Sequence, residues 1–123
     1  MWVFTEDGFF STVEDYKAGN EGGLLVRGRD VKSLERFCAK TKTPLDWIQT
    51  TPERDYPFRV SVPREVWVHY VMSTARDIDY NDFKSHCKAL AAYSDSEAGL
   101  TSQQLMAMGM VWAVMYDDWA ERP

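Results

Sequence analysis

The chain has 123 residues, of which 45% are apolar and 27% are charged, a composition typical of one globular domain large enough to bury its own core. Its formal net charge of −5 argues against non-specific binding to nucleic acid. No apolar run approaches the roughly 18 residues of a membrane-spanning helix, so residues 1–123 are expected to form a single domain outside the membrane.

The N-terminus and the cysteines favour a cytoplasmic location. The opening residues, MWVFTEDGFF, have neither the basic start nor the apolar stretch of a secretory signal peptide. Cys38 and Cys87 are too few for a disulfide framework, and free cysteines usually behave as small buried apolar residues. We therefore expect both thiols to be reduced and buried.

The charge is unevenly distributed along the chain. Residues 24–64 carry nine Lys and Arg against five Asp and Glu, whereas the remainder carries five against fourteen. This basic middle segment favours local contact with an anion. The alternative is that opposite charges become neighbours once the chain folds.

Two runs of β-type residues open the chain, at 1–5 and 9–14. They flank the tripeptide EDG, which predicts a hairpin with Gly8 at the position that needs a positive φ. Residues 24–29 predict a third strand.

A helix is predicted next. Asp30 fits its N-cap and Lys40 is close to its end, and its apolar face carries Val31, Leu34, Phe37 and Cys38. Residues 45–50 then predict a fourth strand.

The clearest strand pattern lies at 56–62, where apolar and polar residues alternate. The core side of this strand is expected to hold Tyr56, Phe58, Val60 and Val62. Arg59 and Ser61 are then expected to point outward. Pro63 suits the first turn of a following helix that ends near Ala75 and is apolar around most of its circumference.

The segment DIDYNDFKSHC, residues 77–87, is interpreted as a helix start. Asp79 fits the N-cap, and Asp82 in the first turn favours the positive end of the helix dipole. The buried stripe of this helix is expected to be Phe83, Cys87, Leu90 and Ala91.

The last predicted helix begins with a capping-box pattern at Thr101 and Gln104. An apolar seam at coiled-coil spacing follows, consisting of Leu105, Met108, Trp112, Met115 and Trp119. We expect this seam to cover the preceding helices and complete the core, and the alternative is a homodimer contact.

The element order predicts an α+β fold. A mostly antiparallel sheet of four to five strands is expected to be covered on one face by three to four helices, with a ferredoxin-like or split βαβ order behind an N-terminal hairpin. This fold class hosts many unrelated functions and therefore argues for none of them.

The motifs MWVFTEDGFFS, LLVRGRD, TPERDYPFRVSVP and DIDYNDFK occur in that order within residues 1–88. In this respect the chain resembles a group of small bacterial and phage-type proteins of unknown function. The resemblance implies the element order, and its phage-type character implies a host-interaction or anti-defence role. It transfers no mechanism, because the group carries no established activity.

Segment 77–87 contains metal-ligand residue types but not the spacing of a metal site. Asp77, Asp79 and Asn81 fit the first, third and fifth positions of a calcium loop, yet Asp82 and Lys88 occupy the places that need Gly and a bidentate Glu. The histidines and cysteines also lack the paired spacing of a zinc site. The chain contains two of each, His69, His86, Cys38 and Cys87. We expect no metal and no cofactor.

The strand alternation predicts a cationic patch on the face of the sheet that the helices leave open. Arg27, Arg29 and Arg59 would share this face, where guanidinium groups can bind phosphate or carboxylate through paired N–H donors. The alternative is that the arginines pair with acids of the same chain, which are Asp30, Glu53, Asp55 and Asp77.

Two functional hypotheses follow. The first is a small cytoplasmic, non-enzymatic binding module for a protein or an anionic, phosphate- or nucleotide-like partner. Its candidate residues are Arg27, Arg29, Arg59, Tyr56, Asp77, Tyr80 and Asn81. The second is a small acid–base enzyme that acts on an anionic substrate through Asp77, Asp79 and His86. An enzyme should bury those groups in a cleft, whereas a binding module should leave Arg27 and Arg59 on a broad face.

Overall fold

The computed structural model describes residues 1–17, 19–93, 99–119 and 121. The chain divides into two compact units, residues 1–79 and residues 80–123. That the whole chain behaves as a single domain therefore stays a prediction.

The first unit contains a five-stranded sheet and two helices. The strands are β1 (Trp2–Thr5), β2 (Gly8–Glu14), β3 (Leu24–Gly28), β4 (Gln49–Thr50) and β5 (Phe58–Val62), in the order β1-β2-β3-β5-β4 with every neighbouring pair antiparallel. The helices are α1 (Val31–Thr41) and α2 (Arg64–Arg76).

The α+β class and the antiparallel sheet are confirmed. The split βαβ order is present as well, because α1 leads from β3 to β4 and these two strands lie on either side of β5 in the sheet. Both are antiparallel to β5, so β3 and β4 are parallel to each other, as a split βαβ unit requires. Along the described chain, no helix combines the length and the apolar character needed to cross a membrane.

The predicted hairpin is confirmed. Gly8 has a φ of +148°, and a Cβ at this position would collide with the Ser33 side chain. The turn is also fixed through the buried carboxylate of Asp7, which accepts a hydrogen bond from the Tyr70 hydroxyl at 2.6 Å and pairs with Nζ of Lys40 at 2.9 Å. Burial and the neighbouring Asp7 charge raise the pKa of Tyr70, so this hydroxyl remains a donor.

The core of the first unit lies between one face of the sheet and the two helices α1 and α2. Its buried members include Phe10, Val26, Leu34, Phe37, Val60, Trp67 and Tyr70. Helix α1 begins as expected, because Asp30 accepts hydrogen bonds from the Ser33 backbone N–H at 3.0 Å and the Ser33 hydroxyl at 2.7 Å. Burial, with a smaller contribution from Glu35, raises the pKa of the Cys38 thiol to about 11.

The predicted strand at 45–50 is wrong over most of its length. Leu45–Trp47 is a short 3-10 helix, and only Gln49–Thr50 pairs with β5. The turn is closed by hydrogen bonds from the Trp47 N–H to the Pro44 carbonyl and from the Ile48 N–H to the Leu45 carbonyl, both 3.1 Å. Local turn formation after Pro44 therefore overrides the strand preference of the residues themselves.

The second unit contains α3 (Phe83–Tyr93), α4 (Ser102–Val114) and a π-helical turn at Met115–Trp119. The expected N-cap of α3, Asp79, is wrong. Asp82 performs this role three residues later, accepting backbone N–H bonds from Lys84 at 3.1 Å and Ser85 at 3.3 Å. The hydrogen bond from the Ser85 hydroxyl is the main cause that lowers the pKa of Asp82, and the two backbone bonds add to it. In the expected stripe Cys87 is buried, and Phe83, Leu90 and Ala91 are half-buried.

Helix α4 begins with the predicted capping box between Thr101 and Gln104. Among the described residues of α4 none is buried, so the seam is not enclosed within the second unit. That it covers the helices of the first unit stays a prediction. Trp112 is 54% exposed and Trp119 78% exposed, and Met115 is also exposed, whereas Leu105 and Met108 are half-buried.

Candidate functional site

Strand register places the two predicted arginines side by side. Arg27 on β3 lies directly opposite Ser11 on β2 and directly opposite Arg59 on β5. Side chains that are directly opposite in an antiparallel ladder project from the same face. The residues next to these arginines, Val26 and Val60, are fully buried in the core, so Arg27 and Arg59 project from the face that α1 and α2 do not cover.

Tyr56 links two of the arginines. The guanidinium carbon of Arg27 lies 4.8 Å from the centroid of the Tyr56 ring, and that of Arg29 lies 4.9 Å from it. Both distances are within the range of cation–π attraction. Tyr56, only 5% exposed, is therefore covered by the charged groups that it orients.

The expected core-side position of Tyr56 is wrong. The expectation assumes that the two-residue alternation reaches from Val60 back to Tyr56, but β5 begins at Phe58. Tyr56 precedes the strand, so the alternation does not determine its direction. Its ring lies instead beside Phe9, at a centroid distance of 6.3 Å.

An aromatic cluster continues from Tyr56 toward the edge of the sheet. The ring of Phe9 stacks on Phe4 at a centroid distance of 4.6 Å and meets Trp2 edge-on at 6.0 Å. Trp2 is 72% exposed and Phe4 40% exposed. We define the arginine–aromatic face as Trp2, Phe4, Phe9, Arg27, Arg29, Tyr56 and Arg59.

The three aromatic members from β1 and β2 were missed from the sequence. The signal was present, because Phe9 and Ser11 alternate with Phe10 and Thr12 just as Arg27 alternates with Val26. Extending the alternation argument to the hairpin would have placed Phe9 on the same face as Arg27.

Hydrogen bonds hold the arginines in position and use only some of their donors. Arg27 donates from Nε to the Ser11 carbonyl at 3.3 Å and from Nη2 to the Ser11 hydroxyl at 2.8 Å. Arg59 donates from Nη2 to the Tyr56 carbonyl at 3.1 Å. Within the described residues, Nε of Arg59 has no hydrogen-bond partner.

The positive charges of the face have no ion-pair partner among the residues that the structure describes. Among the described residues, no carboxylate lies within 4.0 Å of the guanidinium groups of Arg27, Arg29 or Arg59. Burial, followed by repulsion from Arg27 and Arg54, lowers the pKa of Arg59, and Asp55 and Glu53 offset this only in part. Within the described part of the chain, Asp55 and Glu53 thus act on Arg59 at longer range, and the alternative of direct ion pairs with acids of the same chain is not observed.

A buried carboxylate nearby is already satisfied. Ser61, which alternates with Val60 and so projects from the same face as Arg59, donates its hydroxyl to Asp15. Asp15 also accepts hydrogen bonds from the Lys17 backbone N–H at 3.1 Å and the Asn20 amide at 3.2 Å. Burial acts to raise the pKa of Asp15, but these hydrogen bonds outweigh it and the pKa is lowered.

The remaining predicted site residues are Asp77 in the first unit and Tyr80 and Asn81 in the second. Asp77 is exposed at the end of α2, a helix that packs on the opposite face of the sheet. Tyr80 and Asn81 belong to the second unit, where the Tyr80 ring stacks on His86 at a centroid distance of 4.2 Å. A role for these three residues in binding stays a prediction.

The residue types that bind metals are not grouped as a metal site. In the part of the chain that the structure describes, no three His, Cys, Asp or Glu side chains come together in this way. Asp77 and Asp79 are both exposed, whereas a general acid or base at a catalytic site usually lies in an enclosed pocket.

Comparisons with known proteins do not provide a function. No model of a protein family matches this chain, and no curated protein or solved structure matches it either. The similarity of residues 1–88 to small phage-type proteins therefore stays a prediction, and the arginine–aromatic face is the feature from which function can be inferred.

Proposed function

We propose that this chain is a non-enzymatic binding module whose arginine–aromatic face binds the phosphate or carboxylate groups of a partner. The observation that supports this most is the grouping of Arg27, Arg29 and Arg59 on one sheet face, where no described carboxylate lies within 4.0 Å of them. Guanidinium groups bind such anions through two parallel N–H bonds.

The arrangement favours binding because the arginines are held before a ligand arrives. Ser11 and Tyr56 fix the guanidinium of Arg27, and the Tyr56 carbonyl fixes that of Arg59. Ordering a flexible side chain costs about 0.5–1.5 kcal/mol on binding. Because these side chains are already ordered in the folded protein, part of this free-energy cost does not arise on binding.

The exposed seam of α4 supports a second kind of partner. Three residues of this seam are exposed, namely Trp112 at 54%, Met115 at 46% and Trp119 at 78%. Exposed apolar patches mark protein interfaces. We propose a homodimer contact through Leu105, Met108, Trp112, Met115 and Trp119, in a cytoplasmic protein.

The phage-type role in host interaction or anti-defence rests on the sequence resemblance alone. The alternative enzyme function requires Asp77, Asp79 and His86 to act together. The exposure of both aspartates gives it no support.

The binding proposal is tested by calorimetric titration with inorganic triphosphate. The double variant Arg27→Ala/Arg59→Ala should raise the Kd at least about tenfold, because hydrogen bonds to charged groups contribute about 1.5–3 kcal/mol each. Arg76→Ala is the matched control, since Arg76 is exposed in the last turn of α2. Equal Kd values for the double variant and the wild type would refute the proposal.

A further inference from the structure

We infer that the anionic partner is a single-stranded nucleic acid, whose bases stack on Trp2 and Phe4 while its phosphates contact the arginines. This inference rests on the proposed function and narrows it to one class of ligand. It follows from the aromatic half of the arginine–aromatic face, which binding of a simple anion leaves unused.

Two aromatic rings of the arginine–aromatic face are exposed to solvent. Trp2 and Phe4 are 72% and 40% exposed, although both are large apolar side chains next to a well-formed core. Within the first unit they share one sheet face with Phe9, which contacts both of them. Nucleobases are planar and stack on such rings, and antiparallel sheets that carry exposed aromatic residues are a common form of single-strand binding surface.

Direct contacts connect the aromatic rings of this face to its arginines. Phe9 contacts Phe4 and Trp2 on one side and Tyr56 on the other, and Arg27 and Arg29 lie over the Tyr56 ring. Stacking surfaces and guanidinium groups are thus joined through direct contacts along one face. A polynucleotide carries both bases and phosphates along one chain, so one strand can meet both kinds of group.

The charge of the whole chain favours a single strand over a duplex. A net charge of −5 opposes the approach of a dense polyanion, so phosphate contacts at a few arginines must be supplemented by another source of affinity. Stacking supplies it only when the bases are free. In a duplex the bases are stacked on one another and are inaccessible to Trp2 and Phe4.

An acidic protein segment is the other macromolecule that Arg27, Arg29 and Arg59 fit. Its carboxylates would use the guanidinium groups, but they would not explain the two exposed rings on the same face. A test of the inference must therefore separate affinity that comes from base stacking from affinity that comes from charge.

Three probes that carry a fluorescent label separate the two contributions in fluorescence anisotropy titrations. They are a 12-nucleotide oligo(dT), a 12-unit abasic strand that has the same phosphates without bases, and a 12-base-pair duplex. Stacking of even one base should make oligo(dT) bind at least about fivefold more tightly than the abasic strand. Three neutralised phosphates should give a slope of about −2 in a plot of log affinity against log salt.

The variants assign the difference to the aromatic residues. Trp2→Ala and Phe4→Ala should weaken oligo(dT) binding at least about fivefold and leave the abasic strand unaffected. Trp2→Phe should retain most of the affinity, because a ring remains. Val68→Ala is the control, since Val68 is an exposed apolar residue on α2, which packs on the opposite face of the sheet.

Failure of the inference is distinguishable from failure of the proposed function. If triphosphate binding is lost in Arg27→Ala/Arg59→Ala while oligo(dT), abasic strand and duplex bind the wild type equally, the nucleic-acid inference is overturned and the anion-binding function stands. If triphosphate binding is insensitive to the arginines, both are overturned.

Discussion

Tyr56 organises the charged part of the face at the scale of single residues. Its ring lies under Arg27 and Arg29, and its carbonyl accepts a hydrogen bond from Arg59. One residue thus positions all three arginines, two through the side chain and one through the backbone. Its position before β5 makes this possible, because a residue inside the ladder would be constrained by the strand alternation.

Replacing Tyr56 tests this arrangement. Tyr56→Leu should weaken triphosphate binding about fivefold, because it removes the cation–π attraction that orients Arg27 and Arg29. Tyr56→Phe should bind like the wild type, since the ring remains. Calorimetry measures both, and equal affinities of the Leu and Phe variants would contradict the role given to the ring.

Asp15 makes stability depend on pH. Its pKa in the folded protein is below the ordinary value of 3.8, chiefly because hydrogen bonds from Ser61, Lys17 and Asn20 outweigh the opposing effect of burial. A carboxyl with a lowered folded-state pKa stabilises the fold above its unfolded-state pKa and ceases to do so as the pH falls through the folded-state value. The free energy of unfolding should therefore fall as the pH drops below 3.8.

Asp15→Asn should flatten this part of the pH dependence, as measured by urea denaturation from pH 5 to pH 2. An unchanged slope in this variant would show that other carboxyl groups produce the acid sensitivity.

At the scale of elements, patterns confined to neighbouring residues predicted the structure well. The hairpin at Gly8, the Asp30 cap of α1 and the Thr101 capping box of α4 each depend on residues within a few positions of one another. The errors arose where two local signals competed. Pro44 favoured a turn over a strand, and Asp82 competed with Asp79 for the start of α3.

The N-cap of α3 gives an element-scale prediction. Asp82→Ala should increase fraying of the first turn of α3, because it removes acceptors for the Lys84 and Ser85 N–H groups. Asp79→Ala should leave the helix unchanged. Amide hydrogen exchange at residues 84–86 measures this fraying. Greater loss of protection in Asp79→Ala than in Asp82→Ala would show that Asp79 is the N-cap.

Helix α4 gives a second prediction at this scale. Because Trp112 is half exposed, Trp112→Ala should cost the monomer only about 1 kcal/mol, from its contacts with Tyr116 and Lys84. Emptying a buried aromatic site would cost about 3–5 kcal/mol. Denaturation with light scattering distinguishes these outcomes, and the homodimer proposal additionally expects a shift from dimer to monomer. A loss of 3–5 kcal/mol without a change in mass would mean that the seam is core.

At the scale of the whole molecule, the sequence predicted the fold class but only part of the site. Alternation within β3 and β5 was enough to place Arg27 and Arg59 on the uncovered side. Their pairing depends on the register between strands that are about 30 residues apart, and no local pattern specifies that register. The same limit applies to Tyr56 and Phe9, which come together from distant segments.

The claim that the arginine–aromatic face binds anions is tested most directly by nuclear magnetic resonance. Inorganic triphosphate would be titrated into isotope-labelled protein while the Nε–Hε signals of the arginines and the backbone amides are followed. We expect the largest shifts at Arg27, Arg29 and Arg59 and at the Ser11 amide, and small shifts at Arg76. Shifts concentrated in α3 and α4, or none at saturating triphosphate, would contradict the account.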